Sequence, residues 1–142
     1  MPRPVVTLLD VADAEAAETV AQGIRDFNAQ RCGPSRSVPL NAILRVDERV
    51  VGAVLGRTVY GHWLIEAVWV HEGHRGRGVG RQLLEAAESE ALRRGVRGAQ
   101  VDTLSFQAVG FYATCGFREV GTIPDFPPGH TKHYLFKSYA DA

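Results

Sequence analysis

Arg75-Gly76-Arg77-Gly78-Val79-Gly80-Arg81 sets three glycines and three arginines in one short stretch, between an apolar run and a segment of helical period. Phosphate binding is the chemistry such a stretch can do. Glycines let the backbone approach an anion closely, a helix start presents unpaired N–H groups, and the helix dipole adds positive potential. The arginines add formal charge. The plain alternative is a tight strand-to-helix turn with solvated arginines. Two nucleotide readings fail on spacing. No Gly-Lys is followed by Ser or Thr, as a Walker loop requires. Arg81 and Leu83 stand where the third glycine of a dinucleotide fingerprint would fall.

Glu66 is the one charge in residues 63–70, an otherwise apolar run. A carboxylate buried in such a strand costs several kcal/mol by order of magnitude unless it is paired or serves a purpose. Desolvation would raise its pKa and suit it to take a proton from an ammonium, directly or through water. The bland reading is an ion pair with Arg45 or Arg57 on a neighbouring strand. His62, His71 and His74 could suggest a metal, but no nearby cysteine completes a ligand set, and no metal is expected. Cys115, just before Gly116, reads as a small buried thiol rather than a nucleophile. Trp63 and Trp69 alternate to the same face as Ile65 and Ala67 and read as core or subunit interface.

The elements that must position these residues follow from periodicity. Residues 5–9 are short, apolar and β-branched at their start, which predicts a strand. After Asp10 and Asp13, the recurrence of Ala17, Val20, Ile24 and Phe27 predicts an amphipathic helix. Residues 32–39 read as an exposed loop. Residues 40–46, 50–55 and 63–70 predict an antiparallel meander, turning at Asp47-Glu48 and Gly61-His62. From Val79 the period becomes helical, with Val79, Leu83, Ala87 and Ala91 on one face and Gly95 as a stop. A strand within 96–103, a short helix over 107–114, and strands over 117–123 and 131–137 complete the pattern.

With 142 residues and 45% hydrophobic content, the chain is read as one domain, residues 1–142, with a real core. Basic and acidic residues balance at 16 each, so no global field draws in nucleic acid or an anionic membrane. No apolar run approaches the ~20 residues of a membrane helix. Two cysteines and no signal-peptide pattern make a reducing cytoplasm the expected setting.

The arginine loop resembles the R-x-x-G-x-G loop of the GNAT acetyltransferases, preceded by Val68-Trp69-Val70 and followed by a helix carrying Leu83-Leu84. A second block, Ser105 to Phe117 (SFQAVGFYATCGF), resembles that family's signature ending in F-Y-x-x-x-G-F, with Ala108 in its usual place. The resemblance implies an α+β fold: a mixed, mostly antiparallel twisted sheet of about seven strands flanked by helices. It also implies a splay where the strand ending at Val70 meets the one ending near Thr103.

The same resemblance implies an acetyl-coenzyme A-dependent N-acetyltransferase acting by direct attack of a primary amine. Arg75, Gly76, Arg77, Gly78, Val79, Gly80 and Arg81 would hold the pyrophosphate of acetyl-CoA, and the backbone of Val68, Trp69 and Val70 would pair with the pantetheine arm. The Val68 N–H would polarise the thioester carbonyl. Glu66 falls where some polyamine and aminoglycoside members carry a glutamate base. Tyr112 falls on the tyrosine that donates a proton to the departing thiolate, and a phenol with a pKa of about 10 can do so. Ser105 stands where an asparagine is common in the family and is a candidate cofactor contact.

Asp125-Phe126-Pro127-Pro128-Gly129-His130, followed by Tyr134-Leu135-Phe136-Lys137, is similar to the ending of a subset of small bacterial members. Asp125 and His130 are candidate contacts to the amine. A small-molecule acceptor and a homodimer are expected. A protein or peptide acceptor and a non-catalytic acyl-CoA sensor are the alternatives, and the presence of both Glu66 and Tyr112 argues against the sensor.

Overall fold

The computed structural model describes residues 1–140. The chain divides into two compact units, Met1–Ser35 and Arg36–Ala142. In the first, helix α1 (Ala14–Cys32) begins at Asp13, whose carboxylate accepts a 2.9 Å hydrogen bond from the Ala16 N–H, and it stops at Gly33 with a φ of 84°. The helical period around Ala17 to Phe27 is thereby realised and extended at both ends. The strand expected over residues 5–9 does not form. A short, mostly apolar run states a propensity, whereas a strand exists through the neighbour it pairs with.

The second unit holds a seven-stranded sheet. Its strands are β1 (Val38–Pro39), β2 (Ala42–Val46), β3 (Arg49–Val59), β4 (His62–Val70), β5 (Gly98–Leu104), β6 (Arg118–Pro124) and β7 (Thr131–Ser138). The order is β1-β3-β4-β5-β7-β6, and β2 also pairs with β3. Every pairing is antiparallel except β4 with β5. The expected meander is β2 to β4. Its turns fall at Asp47-Glu48 and Tyr60-Gly61, where both central residues have positive φ and so match the twist of the hairpins.

Helix α2 (Val79–Arg93) buries Leu83, Leu84, Ala87 and Ala91. These join Val54, Trp63, Ile65, Ala99, Val101 and Leu135 from the sheet in one core. Gly95 ends the helix with a φ of 78°, as its position predicts. Arg94 then donates to the carbonyls of Val38 and Pro39 and to the Thr58 hydroxyl. That fixes the short β1 beside the end of the helix. Helix α3 (Val109–Thr114) carries Tyr112 into the same core, next to Phe117.

Candidate active site

β4 and β5 pair only at His62 with Gly98, Trp63 with Ala99 and Leu64 with Gln100. Beyond Leu64 they part. The parting begins where β4 carries an extra residue: Gly56 of β3 faces Ile65 and Leu55 faces Ala67, so Glu66 has no partner in the ladder. Such a β-bulge bends the strand and re-aims its side chains. A Cβ at Gly56 would stand 2.2 Å from the Leu64 carbonyl oxygen, so only glycine fits opposite the bulge. Gly56 was readable in sequence only as a glycine inside an apolar run.

The bulge inverts the in-out alternation of β4. Trp63 and Ile65 are buried, but after Glu66 it is Val68 that packs on the core, while Trp69 is 48% exposed. The two tryptophans therefore do not share a face, contrary to the alternation read from sequence. Glu66 needs a correction too. Its side chain is 58% exposed, not desolvated, and its Oε1 lies 3.2 Å from Arg57 Nε. The ion-pair partner foreseen on the neighbouring strand is present.

A cavity of about 730 Å³ opens in the wedge between the parting strands, and Glu66, Val68, Arg75, Asp102, Tyr112 and Lys132 are among its walls. Tyr112 packs edge-on to Phe111 and Phe117, at ring separations of 5.3 and 5.6 Å. Burial, then the carboxylate of Asp102 and the thiol of Cys115, push its phenol up to about 12. It keeps its proton at neutral pH. Gln107, which the sequence reading passed over, also lines the cavity. Its Oε1 accepts from the Leu104 N–H at 2.9 Å and from the Thr103 hydroxyl at 3.3 Å, fixing the end of β5.

At the other mouth of the wedge, the His71 N–H donates to the Val51 carbonyl and a single 3₁₀ turn, Glu72–His74, leads into the arginine loop. Arg75 Nε donates to the Val70 carbonyl at 2.8 Å. Arg75 borders both the wedge and a second cavity of about 290 Å³, walled by Gly76, Gly78, Gly80, Arg81 and Phe111. Gly76 and Gly78 have φ of 73° and 77°, a region that favours glycine. Gly78 caps α2 without a side-chain hydrogen bond, so the first-turn N–H groups are open to an anion. A Cβ at Gly80 would sit 3.4 Å from the Phe111 ring, which keeps the helix start close to α3. Arg81 donates to the Thr114 carbonyl and pairs with Glu85. Arg77 is exposed.

The remaining expected residues lie at the margins. Ser105 accepts a hydrogen bond from the Thr131 N–H at 3.1 Å and is not a wall of the wedge. Nor are Asp125 and His130; Phe126 and Lys132 take that place, and the His130 ring packs edge-on to Phe106 at 4.7 Å. Cys115 is partly buried, and its carbonyl accepts from Lys137 Nζ. Among the described residues, no group of three or more His, Cys, Asp or Glu could hold a metal, and no helix is long and apolar enough to cross a membrane.

Residues 9–117, which include the wedge strands, the arginine loop and α3, match the Acetyltransferase (GNAT) family. The chain belongs to that family. An acetyltransferase of Agrobacterium fabrum (strain C58 / ATCC 33970) is 35% identical over 133 residues, 93% of this chain and 97% of that protein. Blasticidin-S acetyltransferase of Streptomyces morookaense is 43% identical over 107 residues, 72% of this chain and 78% of that one. A crystal structure described as an acetyltransferase of Agrobacterium tumefaciens superposes with a TM-score of 0.91 at 34% identity, over 96% of this chain and 100% of the other. As a GNAT enzyme, the chain is an acyltransferase with acetyl-CoA as donor.

Proposed function

We propose that this GNAT enzyme transfers the acetyl group directly to the primary amine of a small molecule, with the wedge as its reaction chamber. The observation that carries the reading is that one cavity joins Glu66, the β4 backbone at Val68, Tyr112 and Arg75. The pyrophosphate of acetyl-CoA lies on Arg75 to Arg81, its pantetheine arm follows Val68 to Val70, and the Val68 N–H polarises the thioester carbonyl. Glu66 takes the ammonium proton. Tyr112 holds a proton for the departing sulfur, since its phenol stays neutral.

A small-molecule acceptor is supported by the relative named for blasticidin-S. The family match takes in most of both compact units and supports one acetyltransferase domain across the chain. A homodimer rests on the family resemblance, and a cytoplasmic setting on the low cysteine content. His130 and Ser105 stand behind the walls of the wedge, His130 packing on Phe106 and Ser105 holding the β7 backbone at Thr131. The test is thiol release from acetyl-CoA across an amine panel. Release with small amines is expected, and release with peptides alone would move the acceptor to proteins.

A further inference from the structure

Of the 16 basic residues, 14 are arginines and only Lys132 and Lys137 are lysines. One of these two acetylatable residues borders the proposed acetyl-transfer cavity. Lys132 is a wall of the wedge together with Glu66, Val68 and Tyr112. Its ammonium lies 4.0 Å from Asp102 Oδ1, 5.0 Å from the centre of the Phe126 ring and 5.2 Å from that of Tyr134. A carboxylate and two aromatic faces are what hold a cation. The chain has thus placed its own primary amine where a cationic acceptor would be held. Lys137 is different: its Nζ is tied to the Glu88 carboxylate at 2.9 Å and the Cys115 carbonyl at 2.8 Å, and it is not a wall of the wedge.

We propose that Lys132 is an internal acceptor, acetylated by the enzyme on itself when no free amine occupies the wedge. This rests on the reading of the wedge as the reaction chamber. The ammonium of Lys132 gives one proton to water by way of the Asp102 carboxylate, and the freed amine attacks the thioester carbonyl carbon. A C–N bond forms, the C–S bond breaks, and the amine's second proton leaves with the sulfur as coenzyme A thiol. The products are an acetamide on Nζ, free coenzyme A and one proton. The acetamide has no charge, so the pair with Asp102 and both ring contacts of the cation are lost. Proximity favours this route, because the amine is already in the cavity and pays no association entropy.

The test uses the full chain with isotope-labelled acetyl-CoA and no added amine, read by peptide mass mapping over time. Lys132 is expected to gain label at least about tenfold faster than Lys137. The rate constant is expected not to change with protein concentration. Excess of an unreactive coenzyme A analogue should suppress labelling, and Lys132→Arg should remove it without transferring it to Lys137. Equal labelling of both lysines, no labelling, or a rate constant that rises in proportion to protein concentration would overturn the inference. Calorimetry with acetyl-CoA on the same sample separates the failures. Binding with Lys132 unlabelled overturns this inference alone, whereas absence of binding overturns the wedge assignment with it.

Discussion

Gly56 lies so close to the backbone of Leu64 that a side-chain carbon on Gly56 would stand 2.2 Å from the Leu64 carbonyl oxygen, and this contact sits beside Glu66, the extra residue that has no partner in the ladder. Backbone on both sides leaves no flexible atom to give way. Gly56→Ala is therefore expected to cost stability, on the order of 1–3 kcal/mol for forced overpacking, and to displace Glu66. Thermal unfolding together with turnover checks this. A variant with wild-type melting temperature and activity would show that the bulge does not depend on the glycine.

The arginine loop predicts a loss of donor affinity. Arg75→Ala combined with Gly78→Ala truncates an arginine that borders both cavities and puts a side chain at a φ of 77°. Weakening of acetyl-CoA binding by at least about tenfold is expected from lost charge-assisted contacts and a distorted helix start. Calorimetry on the folded variant measures it. Unchanged affinity would move the pyrophosphate elsewhere.

Glu66 and Arg57 are both about half exposed, so their pairing contributes at most about 1 kcal/mol to stability. A purely structural pair would make Glu66→Gln and Arg57→Met alike: slightly less stable, similarly active. The account expects Glu66→Gln to lower turnover far more than Arg57→Met and to remove the acidic limb of the rate profile. If that limb persists, it belongs to another group.

Tyr112→Phe is expected to lower turnover by on the order of 10²-fold with donor affinity nearly intact. The phenol also predicts an alkaline effect on stability. Its pKa is about 12 when folded against about 10 when unfolded. The folded value is the higher one, so its stabilising share is whole below about pH 10 and is lost as pH rises through about 12. The loss amounts to roughly 2–3 kcal/mol at most. Burial and the Glu88 carboxylate raise Tyr139 in the same direction, so Tyr112→Phe should still weaken in alkali, but less steeply than the wild type. Urea midpoints of the two proteins across that range check the sign.

Much of the site was legible because its signals are local. The glycines and arginines of the loop are contiguous, and the F-Y-x-x-x-G-F block spaces Tyr112 and Phe117 along one helix and its exit. The splay, expected from the resemblance, is seen in β4–β5 pairing that ends at Leu64. What was not legible depends on partners distant in sequence. Which face Trp69 takes depends on an insertion seen only in register with β3. Lys132 and Asp102 meet because β7 lies beside β5, a pairing no local pattern announces. Residues 5–9 show the converse error, a strand propensity without a strand.

The central claim, acetyl transfer to a small amine in the wedge, is tested most directly by measuring coenzyme A thiol release from acetyl-CoA over polyamines, aminoglycosides, amino acids and peptides, with wild type and Tyr112→Phe in parallel. The account predicts release that depends on a small primary amine and falls by on the order of 10²-fold in Tyr112→Phe. No amine-dependent release with any member of the panel, or equal release by both proteins, would contradict it.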